Sequence, residues 1–283
     1  MIHEIGLNRM NIDYKNRPAT QNDYVVLIEG RDIVIAEVTS DSDSVFPRYA
    51  DVLKTADVDA DDLKYLFTVD EEVYYLYSGE KTSELTGGYQ RIGRRVLYDT
   101  YEEKVGFIGY TAAHVRDWLT TNKFCGRCGD EMTGRHTERA LVCPTCELVR
   151  YPQISPVVIV LIHNGDHVLL TKYAHAEYER YALVAGFVEI GEELEAAVRR
   201  EVMEEVGLKV KNIRYYGSQP WGITGGLMAG FFAELDGDPT VELDTDELKE
   251  GSWLTKEEMP TVYENEKSLT RTMMHAWFVD KTV

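Results

Sequence analysis

Three glutamates in the C-terminal half of the chain have the spacing of a divalent-cation site. Glu201, Glu204 and Glu205 stand at positions i, i+3 and i+4, so on a helix their carboxylates are within reach of one hard, oxygen-seeking ion such as Mg²⁺. Arg200 directly precedes them and is suited to orient one carboxylate. Such an ion polarises phosphoryl oxygens and activates water, so the chemistry indicated is hydrolysis of a diphosphate.

The predicted helix that carries these glutamates is amphipathic. At about 100° per residue, its four apolar residues fall on one arc of roughly 120°, which should face the core. Glu201 and Glu205 lie at one edge of that arc, on either side of Leu194, and Glu204 lies one step further round. A carboxylate in this sector is unfavourable unless a cation pairs with it. The alternative is a solvated acidic helix. The apolar residues are Leu194, Val198, Val202 and Val206.

Glycines frame this helix. Gly186 and Gly191 suit a loop that bends tightly beside a ligand or metal, and Gly207 suits a helix C-cap.

From Gly186 to Leu208 the chain matches the Nudix box, G-x5-E-x7-R-E-U-x-E-E-x-G-U, without a departure, and it therefore resembles the Nudix hydrolases. The resemblance implies an α+β fold with an α/β/α sandwich. It also implies that Glu201 and Glu205 hold metal, with Glu204 as a further ligand or the base.

All four cysteines lie in one short segment. Cys125 and Cys128 form one C-x-x-C pair, and Cys143 and Cys146 form a second after fourteen intervening residues. Two such pairs joined by a short hairpin predict a closed, structural four-thiolate zinc site. The alternatives are two disulfides or a redox dithiol, which the absence of an export signal disfavours. Mixed charges around the cysteines favour a spacer or dimer element over a nucleic-acid-binding one.

The composition disfavours two functional classes. A net charge of −19 argues against broad binding of nucleic acid, which depends on Lys and Arg at phosphates. A small anionic ligand neutralised by metal fits better. The chain has no run of eighteen apolar residues and no apolar N-terminal segment, so we expect a cytoplasmic protein without a membrane partner.

A chain of 283 residues is long enough to bury more than one core. We expect an N-terminal mixed, Nudix-like accessory domain at 1–120, a zinc ribbon at 121–150 and the catalytic Nudix domain at 151–283. Alternating or apolar runs predict strands, and a C-terminal helix is expected from about Ser268. The predicted strands are 24–28, 33–36, 73–77, 156–162, 168–170 and 227–235, and a further helix is predicted at 112–119.

A second motif bears on the substrate. Ser218-Gln219-Pro220-Trp221 follows the box, and with the accessory domain, the ribbon and Tyr151-Pro152 it resembles the NADH pyrophosphatase branch over essentially the whole chain. The branch continues this motif with P-F-P-x-S, in a loop that helps to hold the dinucleotide. Here Gly222, Ile223, Thr224 and Gly226 replace its Pro, Phe, Pro and Ser. Without the resemblance, the tetrapeptide indicates an ordinary loop with a packed Trp.

The same resemblance implies further site residues. Phe187 and Tyr151 would stack on a base at a dimer interface, with core packing as the alternative, and Glu138 would lie near the ligand. Glu247 would add a metal ligand, with an acidic surface turn as the alternative, and a carbonyl near Ala185 would add another. The other implied substrate contacts are Gln219, Pro220, Trp221, Gly226 and Thr270.

The principal hypothesis is cleavage of NADH or NAD⁺ to nicotinamide mononucleotide and AMP by a homodimer that uses Mg²⁺ or Mn²⁺. The altered loop leaves ADP-ribose, a dinucleoside polyphosphate and NAD-capped RNA open as substrates. A hypothesis of a different class is a nucleotide-sensing regulator without turnover. The complete set of box glutamates disfavours it.

Overall fold

The computed structural model describes residues 1–36, 45–55, 58–79, 89–175, 180–258 and 267–280. The chain divides into two compact units: Met1, Ile154–Trp221 and Gly225–Val283 form one, and Ile2–Gln153 with Gly222–Thr224 form the other. Within the described ranges, no helix combines the length and apolarity needed to cross a membrane.

The N-terminal part of the chain forms a six-stranded mixed sheet with helices on both faces. Alternate residues of its second strand face opposite sides: Val26 packs in one core with Ile108, and Val25 packs in another with Val52. The elements are β1 (Met10–Asn11), β2 (Tyr24–Glu29), β3 (Asp32–Ala36), α1 (Tyr49–Thr55), a 3-10 turn (Ala60–Asp62), β4 (Leu63–Val69), β5 (Glu72–Tyr77), β6 (Tyr89–Gly93), α2 (Arg94–Thr100) and α3 (Glu103–Thr121). The strand order is β1-β4-β5-β2-β3-β6, and among these described strands only the β2–β5 pair is parallel.

The cysteine segment forms a small antiparallel sheet of three two-residue strands. These are β7 (Thr133–Gly134), β8 (Leu141–Val142) and β9 (Val149–Arg150), in the order β7-β8-β9. Its core contains only five buried residues, namely Trp118, Cys125, Met132, Leu141 and Cys143. So small an apolar core cannot hold the segment by itself.

The C-terminal part of the chain is a second mixed sheet between two helices, which confirms the predicted α/β/α sandwich. Val158 and Val160 pack with Val202 on one face, whereas Ile159 packs with Met273 on the other. The elements are β10 (Ser155–Asn164), β11 (His167–Tyr173), β12 (Val184–Phe187), α4 (Leu194–Val206), β13 (Val210–Trp221), β14 (Gly226–Leu235), β15 (Leu248–Leu254), α5 (Leu269–His275) and a π-helical turn (Ala276–Asp280). The order is β13-β14-β10-β11-β15, with β12 also paired to β10.

The predicted strands and the C-terminal helix are all present, but the helix predicted at 112–119 is longer and begins at Glu103. The order β4-β5-β2-β3 of the N-terminal sheet recurs as β13-β14-β10-β11, with the parallel pair at the same place. This shared topology supports the Nudix-like accessory domain. The division at residues 120 and 150 stays a proposal.

Candidate active site

The box forms a strand, a loop and a helix. β12 pairs with β10, the loop turns at Gly191 with φ of 86°, and α4 follows. Gly207 ends α4 in the left-handed conformation with φ of 68°, and its N–H donates to the Met203 carbonyl oxygen at 3.1 Å. The tight bend predicted at Gly191 and the C-cap predicted at Gly207 are confirmed by their backbone geometry, whereas Gly186, predicted in the same loop, lies in strand β12.

Arg200 hydrogen-bonds to both the loop and the helix. Its guanidinium donates to both carboxylate oxygens of Glu192 at 2.8 Å, to Glu201 Oε1 at 2.6 Å and to Glu204 Oε2 at 3.0 Å. It also donates to the Phe187 carbonyl oxygen at 2.9 Å. Hydrogen bonds from Arg200 lower the pKa of Glu192 to about 2. Arg200 therefore ties the loop to the helix and orients two of the three predicted glutamates.

Glu201 is buried against the backbone of β12. Its side chain is 12% exposed, and burial raises its pKa while Arg200 opposes the rise. A Cβ atom at Gly186 would overlap the Glu201 carboxylate. Gly186 therefore leaves the space that this carboxylate occupies.

Glu205 is the most deeply buried acid of the site, at 3% exposure. Its Oε1 accepts the Ala185 N–H at 3.2 Å, while no described residue hydrogen-bonds to its buried Oε2. Burial raises its pKa to about 8, against the effect of the Ala185 hydrogen bond, and the nearby charge of Glu201 adds to the rise. A buried carboxylate oxygen without a donor fits a divalent cation, which supplies the missing positive charge.

The other two glutamates are more exposed. The Glu204 side chain is 58% exposed, so it does not share the buried sector of Glu201 and Glu205 that the helical wheel predicted; its ion pair with Arg200 holds it at the edge. Glu247 precedes β15 and is exposed, and its charge contributes to raising the pKa of both Glu201 and Glu205. Glu247 is therefore electrostatically coupled to the two buried glutamates.

The four cysteine sulfurs converge. All Sγ atoms lie within 4.8 Å of one another, with separations of 3.5 Å for Cys125–Cys146 and 3.4 Å for Cys128–Cys143. Zn–S bonds of about 2.3 Å place tetrahedral sulfurs about 3.8 Å apart, so this cluster has the size of a zinc site. Within the described residues, no other His, Cys, Asp and Glu group is drawn together so tightly.

The two C-x-x-C turns have matching backbone conformations. Gly129 N–H donates to the Cys125 carbonyl oxygen at 2.8 Å, and Glu147 N–H donates to the Cys143 carbonyl oxygen at 3.0 Å. Gly129 has φ of 85° and Glu147 has φ of 59°. The second turn thus places a residue with a Cβ atom where the first has glycine.

The tetrapeptide Ser218–Trp221 lies at the end of β13, not in a loop. It pairs residue by residue with Ala229 to Gly226 of β14, and a tight turn joins the two strands. Pro220 is compatible with a strand here because β13 is at the edge of the sheet. Residues 222–225, where the branch has its aromatic extension, therefore form a short hairpin turn in this chain.

Gln219 is the buried member of that motif. It is 0% exposed; its Nε2 donates to the Lys267 carbonyl oxygen at 3.5 Å, and its buried Oε1 has no partner among the described residues. Pro220 is exposed, Trp221 is half-buried and Gly226 is buried. Thr270 is half-buried in the first turn of α5, which Ser268 caps by accepting the Arg271 N–H.

The predicted base-stacking residues are both exposed. Phe187 is 54% exposed and Tyr151 is 57% exposed, so neither is packed in a core. The Tyr151 hydroxyl donates to Glu138 Oε1 at 3.3 Å, which brings two predicted substrate residues together.

Comparison with known proteins agrees with this geometry. Residues 153–275 match the NUDIX domain family and residues 120–151 match the NADH pyrophosphatase zinc ribbon domain. The NAD-capped RNA hydrolase NudC of Pseudomonas entomophila (strain L48) is 38% identical over 221 residues, covering 77% of this chain and 77% of that protein. This chain is a Nudix hydrolase of the NADH pyrophosphatase branch. The cysteine cluster is accordingly a structural zinc site.

Other relatives match shorter parts. The NudC of Escherichia coli O9:H4 (strain HS) is 44% identical over 144 residues, which are 51% of this chain and 56% of that protein. The crystal structure of a Nudix hydrolase from Nitrosomonas europaea is 24% identical, with a TM-score of 0.48, and covers 55% of this chain and 90% of its own.

Two residues of this Nudix site have no place among the predicted site residues. Glu192 holds Arg200 through both oxygens, and its fixed place in the box was the available signal. Tyr173 is 40% exposed as a whole residue, but partial burial of its phenol raises the pKa to about 12, and the charges of Glu205 and Glu247 add to the rise, so the phenol lies near these two acids. The register shifts between Lys172 and Tyr173 in the β11–β15 pair, and a strand pattern does not predict such a bulge.

The left-handed glycine of the first cysteine turn gives a stability prediction. We expect Gly129→Ala to destabilise the zinc-loaded Nudix hydrolase by about 1 kcal/mol, because a Cβ atom is unfavourable at φ of 85°. Gly134→Ala is the control, since that glycine has ordinary φ and open space for a Cβ atom. Thermal denaturation of both variants is the measurement, and equal Tm values would contradict the prediction.

Proposed function

We propose that this Nudix hydrolase cleaves the central diphosphate of NADH or NAD⁺ with water, giving nicotinamide mononucleotide and AMP. The observation that carries the chemistry is the pair of buried carboxylates, Glu201 and Glu205, held beside β12 with one Glu205 oxygen unpaired among the described residues. The zinc ribbon match and the NudC relatives support the dinucleotide as substrate.

In this proposal the acidic residues have different roles. Glu201, Glu205 and Glu247, with the Ala185 carbonyl, hold the divalent cation, and Glu204 is a further ligand or the base. Arg200 orients Glu201 and Glu204 through the hydrogen bonds described above. A bound Mg²⁺ or Mn²⁺ supplies Lewis-acid polarisation of the phosphoryl group and a nucleophilic water at neutral pH.

The exposed aromatic and polar residues bind the dinucleotide. Phe187 and Tyr151 stack on a base, and Glu138 lies beside Tyr151 at its hydroxyl. The unpaired Oε1 of Gln219 is a candidate acceptor for a polar substrate group. The remaining proposed contacts are Pro220, Trp221, Gly226 and Thr270.

NAD-capped RNA is a second candidate substrate, and the name of the NudC relatives favours it. Its recognition would centre on the cap, because the net charge of −19 disfavours wide contact with the RNA chain. Hydrolysis rates with ADP-ribose and dinucleoside polyphosphates would show whether the short turn after Trp221 changes the substrate preference of the enzyme.

Product analysis decides among these substrates. The purified protein with Mg²⁺ or Mn²⁺ receives NADH, NAD⁺, ADP-ribose, a dinucleoside polyphosphate and NAD-capped RNA at equal concentrations. Faster release of mononucleotide and AMP from NADH or NAD⁺ supports the proposal. A strong preference for another substrate would keep the Nudix chemistry and overturn the dinucleotide assignment, whereas binding without turnover would indicate a regulator.

We also propose a homodimer in the cytoplasm. The exposed aromatic residues Phe187 and Tyr151, which the resemblance places at a shared interface, support the dimer. The four free cysteines of the zinc site support the cytoplasm. Light scattering after size exclusion measures the oligomeric state.

Gly186 gives a prediction that separates activity from stability. We expect Gly186→Ala to lower kcat by about 10²-fold, because the new methyl group takes the place of the Glu201 carboxylate and so removes several kcal/mol of cation-dependent stabilisation. The unfolding free energy should change little, because the displaced atoms are the end of a flexible side chain. Initial rates at saturating Mg²⁺ and a thermal melt test both parts.

Gly217→Ala is the matched control. It lies on β13, has ordinary φ, and a Cβ atom there meets nothing within 4 Å. Full activity of Gly186→Ala, or a loss equal in both variants, would contradict the role assigned to Gly186.

A further inference from the structure

The hairpin between β7 and β8 carries a half-buried cation, Arg139, which has no carboxylate partner in the described part of the chain. Arg139 Nη1 donates to the Tyr65 carbonyl oxygen at 3.1 Å, and Nη2 donates to the Leu66 carbonyl oxygen. The guanidinium also lies 5.8 Å from the centre of the Tyr14 ring. Burial lowers the pKa of Arg139. Such an arrangement is costly, so the contacts it makes must be well formed.

The acceptors of Arg139 lie at an irregularity in β4. In the β4–β5 ladder, Tyr65 is opposite Tyr75 and Phe67 is opposite Tyr74, so Leu66 is skipped. A bulge leaves its extra residue out of the ladder and turns nearby carbonyl groups away from regular pairing. A guanidinium offers several donors in a fixed planar fork, so it can reach two consecutive carbonyl oxygens at once.

Arg139 is also the central residue of a three-residue turn. Ala140 N–H donates to the Glu138 carbonyl oxygen at 2.9 Å, which closes the turn around Arg139. The backbone of Glu138 is therefore fixed by the residue that is clamped to β4. Because the turn is so short, a displacement of Arg139 moves Glu138 with it.

The Glu138 side chain connects this turn to Tyr151. Its Oε1 accepts Arg135 Nη1 at 2.7 Å and the Tyr151 hydroxyl at 3.3 Å. Arg135 is held in turn, because the Tyr14 hydroxyl donates to its carbonyl oxygen at 3.3 Å. The Arg139 hydrogen bonds to β4, the short backbone turn and the Glu138 hydrogen bond thus connect the N-terminal sheet to Tyr151.

We propose that Arg139 is a positioning residue: it docks the ribbon hairpin on the β4 bulge and thereby holds Glu138 and Tyr151 in place for the substrate. This inference rests on the proposed function, in which those two residues bind the dinucleotide. It assigns a role to the N-terminal sheet, which contributes the two carbonyl acceptors of Tyr65 and Leu66. The zinc site shapes the ribbon, and Arg139 fixes where its substrate-facing hairpin lies.

The first test compares Arg139→Met with Arg139→Lys in the full-length, zinc-loaded protein. We expect Arg139→Met to raise KM for NADH about tenfold, the scale of a lost hydrogen bond to a charged group, with kcat nearly unchanged. Arg139→Lys keeps the charge and one donor nitrogen but loses the planar fork, so it should recover part of the loss. Arg127→Met, at an exposed arginine of the same ribbon, is the control. A fall in kcat with KM unchanged would overturn the proposal.

A double-mutant cycle with Glu138→Gln separates positioning from a general structural role. If Arg139 acts through Glu138, then Arg139→Met should change KM by less than about twofold in the Glu138→Gln background. Independent, additive losses, or a loss of zinc from Arg139→Met, would mean that the residue only supports the ribbon. If Arg139→Met does not fold, the same cycle is run with Arg139→Lys.

A measurement without substrate keeps this proposal distinct from the proposed function. The amide groups of Arg135 and Ala140 are hydrogen-bonded within the hairpin, so we expect their hydrogen exchange to become at least about tenfold faster in Arg139→Met. Unchanged exchange would overturn the clamp even if NADH is hydrolysed. Failure of the wild-type protein to hydrolyse any dinucleotide would instead overturn the proposed function and leave the exchange result standing.

Discussion

We expect Glu201→Gln to lower kcat for dinucleotide hydrolysis by about 10³-fold, since a cation supplies several kcal/mol of transition-state stabilisation and each 1.36 kcal/mol is worth a factor of ten. Glutamine keeps the size of the side chain and an oxygen that accepts the Arg200 hydrogen bond. It removes the negative charge that holds the cation. The carboxylate also fills the space above Gly186, so the amide should leave the local packing intact.

The control is Glu195→Gln on the same helix. Glu195 lies in the first turn of α4 and its side chain is exposed, so it changes the net charge by the same amount without touching the site. Initial rates at saturating Mg²⁺, with thermal melts of both variants, are the measurements. Residual activity above about a tenth of the wild type, less than 1.4 kcal/mol of lost stabilisation, would show that Glu201 does not hold the essential cation.

The helix and its buried glutamates could be predicted because they depend on a local period. Four apolar residues at helical spacing fix which face of α4 meets the sheet, and that face carries Glu201 and Glu205 inward with it. The strands of both sheets were predictable for the same reason, because alternate residues must face opposite cores. The cysteine spacing likewise predicted the convergent sulfurs.

Contacts between distant segments were not predictable from local patterns. The bidentate Arg200–Glu192 pair spans eight residues of chain, and the Arg139 contacts with Tyr65 and Leu66 span more than seventy. The start of α3 was missed because Gly106 and Gly109 weaken a helical pattern. A Cβ atom at Gly109 would overlap Leu97 and Ile33, so this glycine serves close packing that the sequence does not display. Gln219 likewise lies in a strand because β13 pairs with β14, and this pairing is a contact that no local pattern shows.

The second large effect is expected at the zinc ribbon. Cys143→Ser should release zinc and lower Tm by about 10 °C, because the metal contributes much of the folding free energy of so small a segment. Cys143 is fully buried, and the three ribbon strands have only two residues each. Zinc content by elemental analysis and thermal melts are the measurements. Arg127→Ala is the control, because its backbone N–H still donates to Cys125 Sγ.

The consequence for activity distinguishes the two metals. Loss of zinc should disorder Glu138 and the segment leading to Tyr151, and so raise KM, while the glutamates of α4 keep their places. Removal of the divalent cation alone should abolish kcat at once and be reversed by added Mg²⁺, which cannot replace zinc at thiolates. If Cys143→Ser retained zinc and the wild-type Tm, the four-cysteine site would not hold the ribbon together. If added Mg²⁺ restored a zinc-free protein fully, the ribbon would have no part in binding the substrate.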